Sequence, residues 1–130
     1  MFTYRNENAF SKALVEALKK KGVFVQRIES GLTGRGIPDL YCIVHKTAVW
    51  IELKRVHHKA NHYESIPWRP GQQSWLTDVY NRGQAVLTFC CFDDTICSIT
   101  HNRIYMQNVV DISSCDCFFS LKDLINNLVQ

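Results

Sequence analysis

Three residues, His45, Lys46 and Thr47, separate the apolar run from Leu40 to Val44 from the apolar run from Ala48 to Leu53. Each run has strand length and strand composition. A parallel pair needs a crossover of a dozen or more residues, so strands joined this tightly must be antiparallel neighbours. The chain therefore carries a β-hairpin at its centre. The second strand of that hairpin is unusual. Val49-Trp50-Ile51-Glu52-Leu53 reads as apolar on both sides, and a carboxylate in such a strand needs a partner.

The other elements follow from periodicity. Phe10, Ala13, Leu14, Ala17 and Leu18 recur at helical spacing, Lys19, Lys20 and Lys21 load the last turn, and Gly22 stops it. Val23 to Ile28 reads as a strand. A glycine-rich loop, Glu29 to Pro38, leads to Asp39 and the hairpin. Residues 55 to 69 read as a polar, basic loop. Pro70 then starts a second helix carrying Gln72, Trp75, Leu76, Val79 and Tyr80, which ends at Gly83. Ala85 to Phe92 reads as a strand buried on both faces, and Ile96 to Ile99 as another. Ser120 with Asp123 fits a capping box ahead of Leu121, Leu124, Ile125 and Leu128. The expected order is α-β-β-β-α-β-β-α. Residues 103 to 119 give no readable pattern.

With 130 residues and 46% of them hydrophobic, the chain can bury a core as one domain over 1–130, and disorder is excluded. No apolar run approaches the roughly 18 residues of a membrane span, and the first residues lack a signal peptide's apolar region. A cytoplasmic location is expected. The net charge of +3 permits a nucleic-acid partner without demanding one. Six cysteines form no zinc-finger spacing; Cys115-x-Cys117 is the only pair with close ligand spacing, and reduced thiols in strands are expected.

Side chains at i and i+2 of a strand share a face, so Glu52 and Lys54 are neighbours about 7 Å apart. Asp39 begins the antiparallel partner strand and falls opposite their end of the hairpin. Two carboxylates and an ammonium thus converge beside a glycine-rich loop. The carboxylates repel unless one holds a proton or a hard divalent cation lies between them. Carboxylate oxygens and water suit Mg²⁺ or Mn²⁺, and a lysine beside them can position water or meet phosphate charge. This is a kit for phosphodiester hydrolysis.

Pro38-Asp39 followed by Glu52-Leu53-Lys54 resembles the PD-(D/E)XK nuclease superfamily, and more closely its VRR-NUC and Holliday-junction-resolvase-like branch, of phage type. Glu7-x-x-Phe10 stands where that family has a helix glutamate. Gly34-Arg35-Gly36-Ile37-Pro38-Asp39-Leu40 resembles its G-x-PDL run. Arg69-Pro70-Gly71-Gln72-x-x-Trp75 resembles its S-P-x-Q-x-x-aromatic segment, with Arg69 in place of the serine. The resemblance covers about residues 4 to 92.

The resemblance implies an α/β fold of restriction-endonuclease-like type, with a mixed central β-sheet flanked by helices. It implies a Mg²⁺-dependent endonuclease, with Mn²⁺ as a substitute, leaving 5′-phosphate and 3′-hydroxyl ends. Asp39, Glu52 and the carbonyl of Leu53 would hold the metal, with Glu7 acting directly or through water. Lys54 would position the attacking water, and Gln72 would add a hydrogen bond. The substrate would be DNA, cut at branched structures such as Holliday junctions or nicked, by a homodimer, in the host cytoplasm if phage-encoded.

Arg35, Arg55, Lys59 and Arg69 are candidate phosphate contacts. Tyr63 and Trp68 either stack on bases or pack their loop down. Ser11 lies one helical turn beyond Glu7 and faces the same way. His57, His58 and His62 lack a regular ligand spacing. Two other classes compete with the nuclease reading. One is a nucleic-acid-binding module of the same fold with little cleavage, such as a recombination partner or an anti-defence factor. The other is a nuclease subunit targeted by another chain. The presence of Asp39, Glu52 and Lys54 together argues against the binding module.

Overall fold

The computed structural model describes residues 4, 6–28, 37–56, 63–92, 95–100, 109–111, 116–118 and 120–130. In chain order these form α1 (Glu7–Lys20), β1 (Phe24–Arg27), β2 (Leu40–Val44), β3 (Thr47–Arg55), β4 (Tyr63–Ser65) and α2 (Gln72–Asn81). β5 (Ala85–Cys91), β6 (Ile96–Thr100), β7 (Val109–Asp111), β8 (Asp116–Phe118) and α3 (Leu121–Val129) follow. The main sheet has six strands in the order β1-β2-β3-β5-β6-β8. All its pairings are antiparallel except β3 with β5, which is parallel. The expected class, a mixed central sheet flanked by helices, is the one observed.

The local signals behave as their chemistry requires. Asn6 Oδ1 accepts from the Ala9 N–H and caps α1, with Glu7 in its first turn. Gly22, at φ 75°, ends α1: its N–H reaches the Lys19 carbonyl and the Val23 N–H reaches the Leu18 carbonyl. The β2–β3 hairpin turns on His45 and Lys46, both at positive φ, the two-residue geometry that matches strand twist. His45 Nε2 lies 2.6 Å from the Val129 carbonyl, tying the end of α3 to that turn. Ser120 Oγ caps α3 through the Asp123 N–H.

The hairpin register pairs Leu40 with Ile51 and Val44 with Thr47. Ile51 and Leu53 face α1 and α3, in a core with Leu14, Leu18, Phe89 and Leu124. Alternation sends Trp50, Glu52 and Lys54 to the other face, where α2 packs. Leu76 and Val86 are buried there, with Trp50, Trp75 and Val79 against them. Trp75 meets Trp50 edge-on at 5.1 Å between ring centroids, which makes it a packing residue.

Three expectations need correction. β3 runs to Arg55 rather than ending at Leu53, because β5 pairs with it as far as Arg55 opposite Cys91. The stretch 55 to 69 is not all loop: it contains β4, which pairs with β7 in a two-stranded sheet. Both strands have three residues, too short for a periodicity signal. Finally, α2 begins at Gln72 rather than Pro70, because Gly71 takes φ 85° and turns the chain into the helix. Among the described residues no helix is long and apolar enough to cross a membrane.

Candidate active site

The register places Asp39 at the end of β2, across from Glu52. The backbone N–H of Leu53 donates to Asp39 Oδ2 at 2.8 Å, fixing that carboxylate against β3. Glu52 is 1% exposed and Lys54 fully buried. Lys54 Nζ lies 3.0 Å from Glu52 Oε2 and donates to Gln72 Oε1 at 2.6 Å. Gln72 Nε2 in turn donates to Glu52 Oε2 at 2.7 Å. The amide thus closes a triangle with the acid and the ammonium. Its Oε1 also accepts from the Arg69 N–H at 2.8 Å, so one side chain both serves the site and orders the entry to α2.

Trp68 covers this triangle. Lys54 Nζ sits 5.4 Å from the Trp68 ring centroid, within cation–π range. The ring also packs against the cluster of Val56, Ile66, Cys90 and Phe92. Of the two readings for Trp68, the structure realises packing.

Burial drives the electrostatics. Desolvation pushes the Glu52 carboxyl up to about 8. Asp39 adds to the rise by charge repulsion, while the Lys54 ammonium opposes it. Glu52 Oε1 is buried and has no hydrogen-bond partner. An orphaned carboxylate oxygen in a residue that repels a second carboxylate is a poor arrangement for protein alone and a good one for a hard cation. The donor chemistry therefore fits a divalent metal held by Asp39 and Glu52. Among the described residues no three His, Cys, Asp or Glu side chains enclose a cation site. Two carboxylates with water and phosphate oxygens would complete a Mg²⁺ shell, since Mg²⁺ keeps several waters.

Glu7 stands apart from that pair. Its Oε1 meets the Arg55 N–H at 3.4 Å and its Oε2 meets Arg69 Nη2 at 3.4 Å. Glu7, Asp39 and Arg69 line one cleft of about 250 Å³, together with Asn8, Ser11, Arg27 and Ile28. The Arg55 guanidinium is turned elsewhere, donating to the carbonyls of Tyr4, Val56 and Cys91. It buttresses β3 and β5 rather than facing the cleft. Arg35 and Lys59 lie outside the described residues, as do His57, His58, His62 and Cys115.

Three cleft residues, Asn8, Arg27 and Ile28, were missed by sequence reasoning. Arg27 ends β1, and the following Ile28 N–H bonds to the Asp39 carbonyl. Its guanidinium donates to Asn8 Oδ1 at 2.8 Å. The signal was available: a strand antiparallel to β2 must end beside the residue that begins β2.

No family model matches the chain, and no curated protein matches it. Among solved structures it resembles Hjc, a Holliday junction resolvase from the archaeal hyperthermophile Archaeoglobus fulgidus. The identity is 17%, the match covers 82% of this chain and 88% of that one, and the TM-score is 0.57. At this identity the likeness is one of fold: a mixed central sheet flanked by helices, the class expected from the sequence.

Proposed function

We propose that the chain is a divalent-metal-dependent DNA endonuclease selective for DNA structure, with branched DNA such as a Holliday junction as the substrate class. One observation carries the reading: Asp39 and Glu52 converge at a hairpin end, with Glu52 Oε1 buried and lacking a donor. The resolvase fold of the A. fulgidus protein supports it. The VRR-NUC branch and a phage origin rest on the sequence motifs alone. We read residues 1–130 as one nuclease domain that acts in the cytoplasm as a homodimer, since two strands need two sites and a C₂ pair suits a junction.

In this reading Asp39 and Glu52 hold Mg²⁺ or Mn²⁺, with the Leu53 carbonyl beside them and Glu7 at the cleft wall. A bound divalent cation supplies charge for the phosphodiester and an acidified water. Lys54 orients that water and is itself held by Gln72. Arg69 is the phosphate contact at the cleft rim. Its pairing with Glu7 is 59% exposed on the arginine side, and such a pair is weak enough for a phosphate to displace.

A second reading has one observation in its favour. Lys54 has no solvent exposure beneath Trp68 and Gln72, as suits a binding module that does not cut. A labelled panel separates the two: four-way junction, flap, single strand, linear duplex and supercoiled plasmid, each with Mg²⁺, Mn²⁺ or EDTA. Metal-dependent cutting, lost in Asp39→Ala and Lys54→Ala, supports the nuclease. Salt-sensitive binding without cutting in any metal supports the module.

A further inference from the structure

Strand register aligns four residues in one row across the main sheet. Lys54 on β3 pairs with Cys90 on β5, Cys90 with Cys97 on β6, and Cys97 with Cys117 on β8. Register partners share a face, so three thiols continue the row that begins at the buried lysine. The last two are in contact, with Cys97 Sγ 3.4 Å from Cys117 Sγ. Directly opposed strand residues have Cα atoms about 4.5–5.5 Å apart, inside the span that a disulfide tolerates. Closing this gap to a bond needs about 1.4 Å of sulfur movement, which side-chain rotation supplies.

The two sulfurs differ in access. Cys97 is fully buried, as is Cys90 on its other side. Cys117 is half-buried on β8, which ends the described sheet. Cys42 and Cys91 belong to the opposite layer, against α1 and α3. An oxidant therefore meets Cys117 first, with Cys97 already in place behind it.

We propose that Cys97 and Cys117 are a redox-active pair that closes to a cross-strand disulfide when a hydroperoxide reaches Cys117. The Cys117 thiol ionises and its sulfur attacks the peroxide; the O–O bond breaks, a sulfenic acid forms, and the departing hydroxide takes up the released thiol proton and leaves as water. The Cys97 sulfur then attacks the sulfenyl sulfur; the S–S bond forms, the S–O bond breaks, and a second water leaves with the thiol proton. Two thiols lose two electrons and one hydrogen peroxide becomes two waters. A small dithiol reverses the bond by exchange. The closed bond ties β8, and α3 directly behind it, to β6.

The test uses the full chain treated with hydrogen peroxide, then alkylated after unfolding and mapped by mass spectrometry. The expected result is a Cys97–Cys117 linked peptide, loss of two of the six alkylatable thiols, and reversal by dithiothreitol. The oxidised protein melts several degrees higher than the reduced one. Cys90→Ser retains the link, and Cys117→Ser abolishes it and leaves Cys97 alkylatable. A link mapping to Cys90–Cys97 or Cys115–Cys117 overturns the proposal. So does Cys117 sulfinic acid with Cys97 still reduced. The readout needs no nuclease activity and stands apart from the functional reading above.

Discussion

Gln72 and Lys54 meet at 2.6 Å from different elements, the first residue of α2 and the eighth residue of β3. The lysine has no solvent, so the amide oxygen is its replacement for water. The other end of the same amide holds Glu52. Opposite needs, a donor for the acid and an acceptor for the base, are met by one side chain with both.

Gln72→Ala removes the acceptor from a buried ammonium and the donor from a buried carboxylate. Leaving such groups unsatisfied costs about 1–3 kcal/mol or more, and the Arg69 N–H loses its acceptor as well. Urea denaturation should show a lower midpoint than wild type. An unchanged midpoint would mean that water replaces the amide at no cost.

Asp39→Asn keeps an oxygen for the Leu53 N–H and removes the charge that repels Glu52. The metal-free variant should melt higher than wild type while cleavage falls at least about 10²-fold. Calorimetric titration with Mn²⁺ should show weakened binding. A variant that cuts normally removes Asp39 from the chemistry.

The pH dependence of the metal-free protein follows from Glu52. Its folded carboxyl sits near 8 against an ordinary 4.5, so the folded state holds a proton that the unfolded chain releases. Its contribution favours folding at low pH and is lost as pH rises from about 4.5 to about 8, at no more than about 1.4 kcal/mol per pH unit. Glu52→Gln, or saturating Mg²⁺, should flatten this slope in a denaturation series. A slope that Glu52→Gln leaves intact would assign the effect to another group.

Trp68→Ala should open a path to Lys54. In wild type an amine-acylating reagent should modify the exposed Lys20, Lys21 and Lys122 and spare Lys54. The variant should label at Lys54 and lose about 1–2 kcal/mol of stability, the scale of a desolvated cation–π contact. Equal labelling of Lys54 in both proteins would show that the ring does not shield it.

Much of the fold was legible because its signals are local. The stripe of α1, Gly22 at its end and the Ser120 cap of α3 each act within a few residues. β4 and β7 were not, since neither short strand forms except by finding the other 48 positions away, as Tyr63 pairs with Asp111. Arg55 shows the limit of reading charge as function. Its place in a basic stretch suggested phosphate contact; the structure adds a packing role that charge alone did not reveal, with Nε and Nη1 donating to three backbone carbonyls.

The sequence by itself determined that Asp39, Glu52 and Lys54 share one end of a hairpin. A tight turn and a two-residue period leave no other arrangement, and both are properties of covalent geometry. Only the tertiary structure decided how deep they lie. The parallel pairing of β3 with β5, the seating of α2 and the Trp68 ring exclude water from Glu52 and Lys54. Desolvation comes from segments far along the chain, and it turns an ordinary acid–base pair into one with an orphaned oxygen and a displaced proton affinity.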